Sequence, residues 1–288
     1  MSDLHAGPDA DTECVSECLF GERVELLERA GDWCRVRNRR DDYRGWLRAE
    51  ALEPVPAQAV EAVDATRGAV TAPHVVGVRA TLLFAAADLK SPVRLRVTLG
   101  AELTLADERD GDEHADRTDE ESGGRIGERR AIVDPRFARV RDFPGGGEAW
   151  AWRAHCLPPG ATLGGTAVDT ARRLYEGAPY RWGGRTPDGA DCSGLVQGTA
   201  FALGLGLPRD SGDQERALRH VLPFARRDAS DLVFWPGHVG LLVDPDTLFH
   251  ATAHTLATAL EPLADVVRRA GLPSSVRRLP SPGEALVT

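Results

Sequence analysis

The stretch Asp191-Cys192-Ser193-Gly194-Leu195-Val196 opens the apolar run that decides the fold of the C-terminal half. Apolar residues then recur near helical spacing until Gly204, which predicts a helix over 192–203. A second helix is predicted over 167–175, and the runs 232–235, 238–243 and 247–251 have the composition of strands. We therefore predict an α+β domain in which the helix carrying Cys192 packs against an antiparallel sheet.

Cys192 is a candidate nucleophile because it stands at the start of this helix. A thiol attacks well only when it is deprotonated, and both a helix N-terminus and a nearby imidazolium lower its pKa. Asp191 is placed to cap the helix. His238, in Gly237-His238-Val239-Gly240, is the candidate base.

A second histidine, His250, is brought toward His238 by the predicted turn at Asp244-Pro245-Asp246. His238 lies six residues before Asp244 and His250 six residues after it, so a hairpin places them close to opposite each other on one face. A second imidazole can fix the tautomer of the first. The residues predict a nucleophile, a base and an orienting group.

Two other interpretations of these residues stay open. A cysteine beside glycine is often only structural, and scattered histidines are often surface residues. His250 and His254 form His-Ala-Thr-Ala-His, which suggests zinc, but the glutamate of such motifs is absent. We predict no metal and no cofactor.

The N-terminal half consists of short predicted strands at 14–19, 23–28 and 33–36, which is typical of a small barrel. We predict a first all-β domain over 10–54, a linker over 55–73, a second all-β domain over 74–159 and the α+β domain over 160–288. The second domain contains an insert over 106–147, with nine acidic residues between Asp107 and Glu121. Such a charge run predicts a solvated loop, with a gate as the alternative.

The net charge and the N-terminal residues indicate which partners and which cell compartment to expect. The net charge of -9 argues against nucleic acid and against anionic membranes as partners. The first five residues have neither a basic region nor an apolar core, and the five cysteines form no regular framework. We therefore predict a cytoplasmic protein, without a prediction of its oligomeric state.

Six strings in order resemble the NlpC/P60 cysteine peptidases of bacterial cell-wall metabolism, and together they cover most of residues 165–255. They are Tyr180-Arg181-Trp182-Gly183-Gly184, Asp191-Cys192-Ser193-Gly194-Leu195-Val196, Leu207-Pro208-Arg209-Asp210-Ser211, Asp231-Leu232-Val233-Phe234, His238-Val239-Gly240 and Phe249-His250-Ala251. The resemblance implies a papain-like fold and cleavage of murein peptides. It makes Cys192 the nucleophile, His238 the base, His250 the third polar member, and Tyr180 a stabiliser of the oxyanion.

The front half is similar to two bacterial SH3 domains. The first resembles those of hydrolases that cut the γ-D-glutamyl–L-diamino acid bond, on the string Asp42-Tyr43-Arg44-Gly45-Trp46. In those enzymes acidic and tyrosine side chains hold the free amine of L-alanine. The resemblance implies five substrate-binding residues here: Asp191, Ser193, Asp210, Tyr43 and Asp42.

We therefore predict a cysteine peptidase that hydrolyses the γ-D-glutamyl–L-diamino acid bond of murein peptides with a free N-terminal L-alanine. Its expected role is in cell-wall peptide recycling. Two alternatives stay open. The same enzyme could remodel intact peptidoglycan with its SH3-like domains as anchors, or the chain could be an inert protein that binds wall peptides.

Overall fold

The computed structural model describes residues 1–54, 72–106, 134–141 and 143–280. The predicted linker lies almost entirely outside the described residues, and so does the acidic run of the predicted insert. No helix in the described part of the chain is long and apolar enough to cross a membrane.

The first module is a five-stranded antiparallel sheet in the order β2-β1-β5-β4-β3. Its strands are β1 (Ser2–His5), β2 (Cys14–Cys18), β3 (Val24–Ala30), β4 (Trp33–Asn38) and β5 (Arg44–Arg48). The strand β1 precedes the predicted domain start at residue 10, and it pairs with β2. This strand was not predicted because only Leu4 of its four side chains is buried, which is too few for a visible alternation.

The second module contains a four-stranded sheet, β10-β11-β7-β8, and a three-stranded sheet, β12-β6-β9. Its strands are β6 (His74–Val76), β7 (Ala80–Phe84), β8 (Val93–Thr98), β9 (Glu102–Leu103), β10 (Phe137–Val140), β11 (Ala149–Trp152) and β12 (Cys156–Leu157). The predicted insert over 106–147 is wrong at its C-terminal end, because β10 lies inside it and pairs with β11. Phe137, Ala138 and Val140 are buried in this pairing, so the segment belongs to the core.

The third module is an α+β domain, as predicted. Its helices are α1 (Ala167–Tyr175), α2 (Cys192–Ala202), α3 (Ser211–Ala217) and α4 (Leu263–Ala270), and a two-stranded sheet joins β13 (Arg185–Thr186) to β14 (Gly189–Ala190). Its main sheet is antiparallel in the order β15-β20-β16-β17-β18-β19, made of β15 (Val221–Leu222), β16 (Asp231–Trp235), β17 (His238–Asp244), β18 (Thr247–Thr252), β19 (Ala257–Pro262) and β20 (Ser275–Arg278).

The main sheet is covered on both faces, which explains why β16 reads as a continuous apolar run. Leu232 and Phe234 belong to the core cluster that contains the buried residues of α1 and α2. Val233 and Trp235 belong to a second cluster on the other face, with Leu263 and Val266 of α4. The sheet is therefore held rigidly between helices, and it carries both histidines on β17 and β18.

Candidate active site

Cys192 is the first residue of α2, and Asp191 is its N-cap. Asp191 Oδ1 accepts a hydrogen bond from the backbone N–H of Gly194 at 2.7 Å. A Cβ added at Gly194 would lie 2.1 Å from the carbonyl oxygen of Gly184, so only glycine allows this contact. The helix start is consequently pressed against the loop that precedes β13.

The sulfur of Cys192 lies beside the turn between β16 and β17. The Sγ atom is 4.0 Å from the carbonyl oxygen of Gly237, and Cys192 is 8% exposed. The backbone N–H groups of Val239 and Ser193 both act on it. The thiol is therefore next to the backbone on either side of His238.

The two histidines are in direct contact. His238 Nε2 lies 2.8 Å from His250 Nδ1, and the rings meet edge to face. Leu241 pairs with Phe249 and Leu242 with Leu248, so His238 and His250 are diagonal neighbours rather than directly opposite. Both rings share one face of the hairpin, and the Nδ1 of His238 is the ring nitrogen that His250 does not engage.

The charge state of the pair differs from the sequence expectation. Burial raises the pKa of the Cys192 thiol to about 11, and the Asp191 carboxylate adds to the rise. Burial also lowers the pKa of His238 to about 4. The backbone N–H of Ser193 at the helix start and that of Val239 on β17 both lower the thiol pKa, but burial outweighs them. At neutral pH the thiol is protonated and His238 is neutral, so His238 is available as a base.

Tyr180 packs against the same core cluster as Cys192. Its backbone N–H donates to the carbonyl oxygen of Leu256 at 2.9 Å, which fixes the residue against the end of the main sheet. Burial raises the pKa of Tyr180 to about 12, with the Cys192 sulfur as the next cause. Its hydroxyl therefore remains a hydrogen-bond donor near the sulfur, as the predicted oxyanion role requires.

Asp191 and Ser193 differ from their predicted role as substrate contacts. Both side chains are buried and have internal partners. The guanidinium of Arg209 donates to Asp191 at 2.6 and 3.0 Å and to the Ser193 hydroxyl at 2.9 Å, and Gly183 N–H donates to Asp191 at 3.0 Å. These contacts occupy the carboxylate oxygens, so Asp191 caps the helix and neutralises Arg209 instead of facing a substrate.

Tyr43 and Asp210 are brought together across the boundary between the first and third modules. The Tyr43 hydroxyl lies 3.3 and 3.4 Å from the two carboxylate oxygens of Asp210, which is exposed. Both groups are close enough to Asp191 for its charge to act on them. Arg209, the neighbour of Asp210, contacts Asp191, so this pair lies near the start of α2.

Asp42 does not join Tyr43 and Asp210 in this contact. It occupies a left-handed turn with φ of 58°. Its exposed carboxylate lies 3.7 Å from Arg37 Nε, on the surface of the first module. The neighbouring Asp41 faces inward instead and accepts from the Gln197 amide at 2.9 Å.

Buried ion pairs hold the first module against the site. Glu17, which is 1% exposed, accepts from the backbone N–H of Arg185 at 2.8 Å and also contacts Arg181. Arg209 Nε donates to the Ser16 hydroxyl at 3.1 Å. The same arginine that neutralises the N-cap of α2 therefore also contacts β2 of the first module.

One more contact at the histidines was not predicted from the sequence. His250 Nε2 lies 3.1 Å from Glu261 Oε1, and Arg269 Nη2 lies 2.9 Å from Glu261 Oε2. Glu261 is on β19, two residues beyond Ala259, which pairs with His250. The period of two along a strand would have found it, had β19 been predicted. No group of three metal-ligating side chains occurs in the described part of the chain.

Comparison with known proteins agrees with this geometry. The family described as "NlpC/P60 family" matches residues 177–265, and "Bacterial dipeptidyl-peptidase Sh3 domain" matches residues 4–52. The peptidoglycan endopeptidase RipB of Mycobacterium tuberculosis is 32% identical over 169 residues, covering 48% of this chain and 68% of that protein. The chain belongs to the NlpC/P60 family. This family assignment makes it a peptidase.

Two further similarities extend over most of this NlpC/P60 chain. Dipeptidyl-peptidase 6 of Lysinibacillus sphaericus is 28% identical over 254 residues, covering 88% of this chain and 85% of that protein. The crystal structure of an NlpC/P60 family protein from Bacillus cereus superimposes with a TM-score of 0.68 at 21% identity, covering 91% of this chain and 81% of that one. The latter shows that the whole arrangement of modules is a shared fold.

Proposed function

We propose that this NlpC/P60 peptidase hydrolyses the γ-D-glutamyl–L-diamino acid bond of murein peptides that carry a free N-terminal L-alanine. The observation that carries the proposal is the contact between Tyr43 and Asp210, 3.3 Å apart near the start of α2. A carboxylate and a hydroxyl oxygen together accept hydrogen bonds from an ammonium group. In uncut wall that amine is an amide and has no charge, so the pair would select freed peptides.

The names of relatives support this substrate class. The Lysinibacillus sphaericus relative is a dipeptidyl-peptidase, and the gamma-D-glutamyl-L-lysine dipeptidyl-peptidase of Bacillus subtilis is 37% identical over 97 residues, covering 30% of this chain and 32% of that protein. A dipeptidyl-peptidase releases two residues from the N-terminus, so its site must close just beyond the amine. The exposed Asp210, placed by the first module's Tyr43, would provide that end.

The chemistry follows from the neutral thiol–imidazole pair. The Cys192 S–H proton passes to Nδ1 of His238 as the sulfur bonds to the γ-carbonyl carbon of D-glutamate. The oxyanion accepts from the Tyr180 hydroxyl and from backbone N–H groups at the start of α2. The C–N bond then breaks, and His238 returns its proton to the leaving amine. Water, deprotonated by His238, hydrolyses the thioester and releases L-Ala-D-Glu.

We place this reaction in the recycling of wall peptides in the cytoplasm. Free-amine peptides arise only after the wall has been cut, so selection for the amine fits a recycling enzyme. All five cysteines are free, which is usual for a reducing compartment.

The direct test is incubation of L-Ala-γ-D-Glu-meso-diaminopimelate with the wild type and with Cys192→Ala, with products read by mass spectrometry. We expect the wild type to release L-Ala-D-Glu, and Cys192→Ala to lose roughly 10⁴-fold or more in kcat, as removal of a covalent nucleophile does. Cys156→Ala is the matched control, since this buried cysteine lies in the second module and should leave turnover unchanged.

The N-acetylated peptide and purified sacculi complete the test. We expect the acetylated peptide to react at least about tenfold more slowly, because it removes a charged hydrogen-bond partner. Activity on sacculi alone would refute the recycling proposal and favour remodelling of intact wall. Full activity of Cys192→Ala would refute the assigned mechanism.

A further inference from the structure

A line of polar contacts continues past the two histidines to the back of the sheet. His250 is 1% exposed, and its Nε2 lies 3.1 Å from Glu261 Oε1. Glu261 is itself held by Arg269 of α4, whose Nη2 lies 2.9 Å from Oε2 and 3.2 Å from Oε1. Four side chains from β17, β18, β19 and α4 therefore form one connected row that ends in a charged pair.

The carboxylate at the end of this row determines where the ring protons lie. An ionised carboxylate only accepts hydrogen bonds, so the Nε2 of His250 must carry a proton to donate to Glu261. In a neutral ring, Nδ1 of His250 is then an acceptor, and it faces Nε2 of His238 at 2.8 Å. His238 must consequently carry its own proton on Nε2, which leaves the lone pair of a neutral His238 on Nδ1.

We propose that Glu261 is a positioning residue that fixes the tautomers of both histidines, so that His238 presents its Nδ1 lone pair to the Cys192 thiol, and that Arg269 holds Glu261 in place. This inference rests on the function proposed above, because it assigns His238 as the base. It adds two residues that act on the nucleophile only through His250.

The charges around the row support this role. Hydrogen bonds from Arg269 and His250 outweigh burial and lower the pKa of Glu261, so the carboxylate remains ionised. When His238 takes the thiol proton it becomes a cation with His250 and Glu261 behind it. Glu261 and Asp191 favour that cation, whereas Arg269 opposes it.

The charged and titratable groups that shift the pKa of His238 come from several elements packed around it. Asp191 is the N-cap of α2, His250 is on β18, Glu261 is on β19 and Arg269 is on α4. Loss of the Glu261 charge therefore leaves Arg269 as the nearest charge behind the ring pair. We expect the pKa of His238 to fall further in variants without this carboxylate.

The test compares Glu261→Ala, Glu261→Gln and Glu261→Asp with the wild type. In Glu261→Gln we expect the amide oxygen to turn to Arg269 and the amide N–H to face His250, which favours the wrong tautomer. Kcat should fall about 10- to 100-fold in the Ala and Gln variants, less than for a carboxylate that contacts the base directly. KM should change less than about threefold, and Glu261→Asp should retain the most activity of the three variants.

Asp265→Asn is the matched control because Asp265 pairs with exposed Arg268 on the same helix and touches neither histidine. The decisive readout is the ¹⁵N chemical shift of the histidine ring nitrogens, which reports the protonated nitrogen directly. We expect Nε2–H on both rings in the wild type and in Asp265→Asn, and a shift of His250 toward Nδ1–H in Glu261→Gln. The acid limb of the kcat profile should move to lower pH in the Ala and Gln variants.

Unchanged tautomers and an unchanged pH profile in Glu261→Ala and Glu261→Gln would overturn this inference, even if these variants were less stable or less active. The nucleophile assignment is tested separately by Cys192→Ala. If that variant were fully active, the proposed function would fail while the ring-nitrogen shifts still decided the role of Glu261.

Discussion

Replacement of Arg209 by methionine is the sharpest perturbation of the site that leaves every reacting group in place. Arg209 is 2% exposed, and it donates to Asp191 at 2.6 and 3.0 Å, to Ser193 at 2.9 Å and to Ser16 at 3.1 Å. The methionine fills most of the volume but leaves the Asp191 carboxylate buried without its cation. Removing one partner of a buried ion pair costs about 3–5 kcal/mol.

The loss should be visible as a lower melting temperature. For a domain of this size each kcal/mol corresponds to about 2–4 °C, so Arg209→Met should melt at least about 6 °C below the wild type in differential scanning fluorimetry. The double variant Asp191→Asn/Arg209→Met should recover part of this loss, because it no longer contains an unpaired buried charge. Arg209 also lowers the pKa of Cys192, so its removal should slow alkylation by iodoacetamide at a fixed pH.

The matched control is Arg216→Met, which breaks an ion pair of the same type with Asp213 on α3. The side chain of Arg216 is 74% exposed, and exposed pairs contribute about 0–1 kcal/mol. A melting temperature of Arg209→Met within about 1 °C of that of Arg216→Met would show that the buried ion pair does not stabilise the start of α2. A double variant no more stable than Arg209→Met would instead show that the lost contacts to the two serines dominate.

Three further perturbations test the site and its support. Burial lowers the pKa of His238 to about 4, so kcat at saturating peptide should hold steady as pH falls below neutral. It should drop only near pH 4, where the ring gains a proton and ceases to be a base, and a limb near the ordinary histidine value would contradict this. Tyr43→Phe removes the hydroxyl that contacts Asp210, so KM for the free-amine peptide should rise about tenfold with kcat nearly unchanged. An equal rise in KM for the acetylated peptide would argue against amine recognition. Gly198→Ala places a Cβ 1.8 Å from the Tyr175 hydroxyl, so the free energy of unfolding should fall by about 2 kcal/mol or more. The second substitution Tyr175→Phe should restore part of this stability. A Gly198→Ala variant as stable as the wild type would refute the close contact.

The catalytic domain was predictable because its signals are local. The helix predicted over 167–175 is present with those bounds, since its buried residues recur every three or four positions along one face. The hairpin with His238 and His250 followed from a turn string between two apolar runs. Its exact register did not, because an irregularity between Leu242 and Asp244 shifts the pairing, and a sequence carries no signal for it.

The missed features all depend on contacts between distant residues. The strand over 137–140 has only four residues, too few for a visible alternation, and it is stabilised by pairing with Ala149–Trp152. Arg209 reads as a surface residue, because a charge is buried only when its partners surround it. Glu261 becomes informative only once its strand is known to lie beside that of His250.

The first module is better understood as a wall of the active site than as a separate anchor. Its Glu17 is buried against Arg181 and Arg185, and its Ser16 contacts the arginine that neutralises the N-cap of α2. Separation of the modules would break several of these ion pairs at once. Each charge that stayed buried without its partner would cost several kcal/mol. These contacts hold the first module against the catalytic domain. Its position instead determines where Tyr43 stands beside Asp210, and the proposed recognition of the free amine depends on that pair.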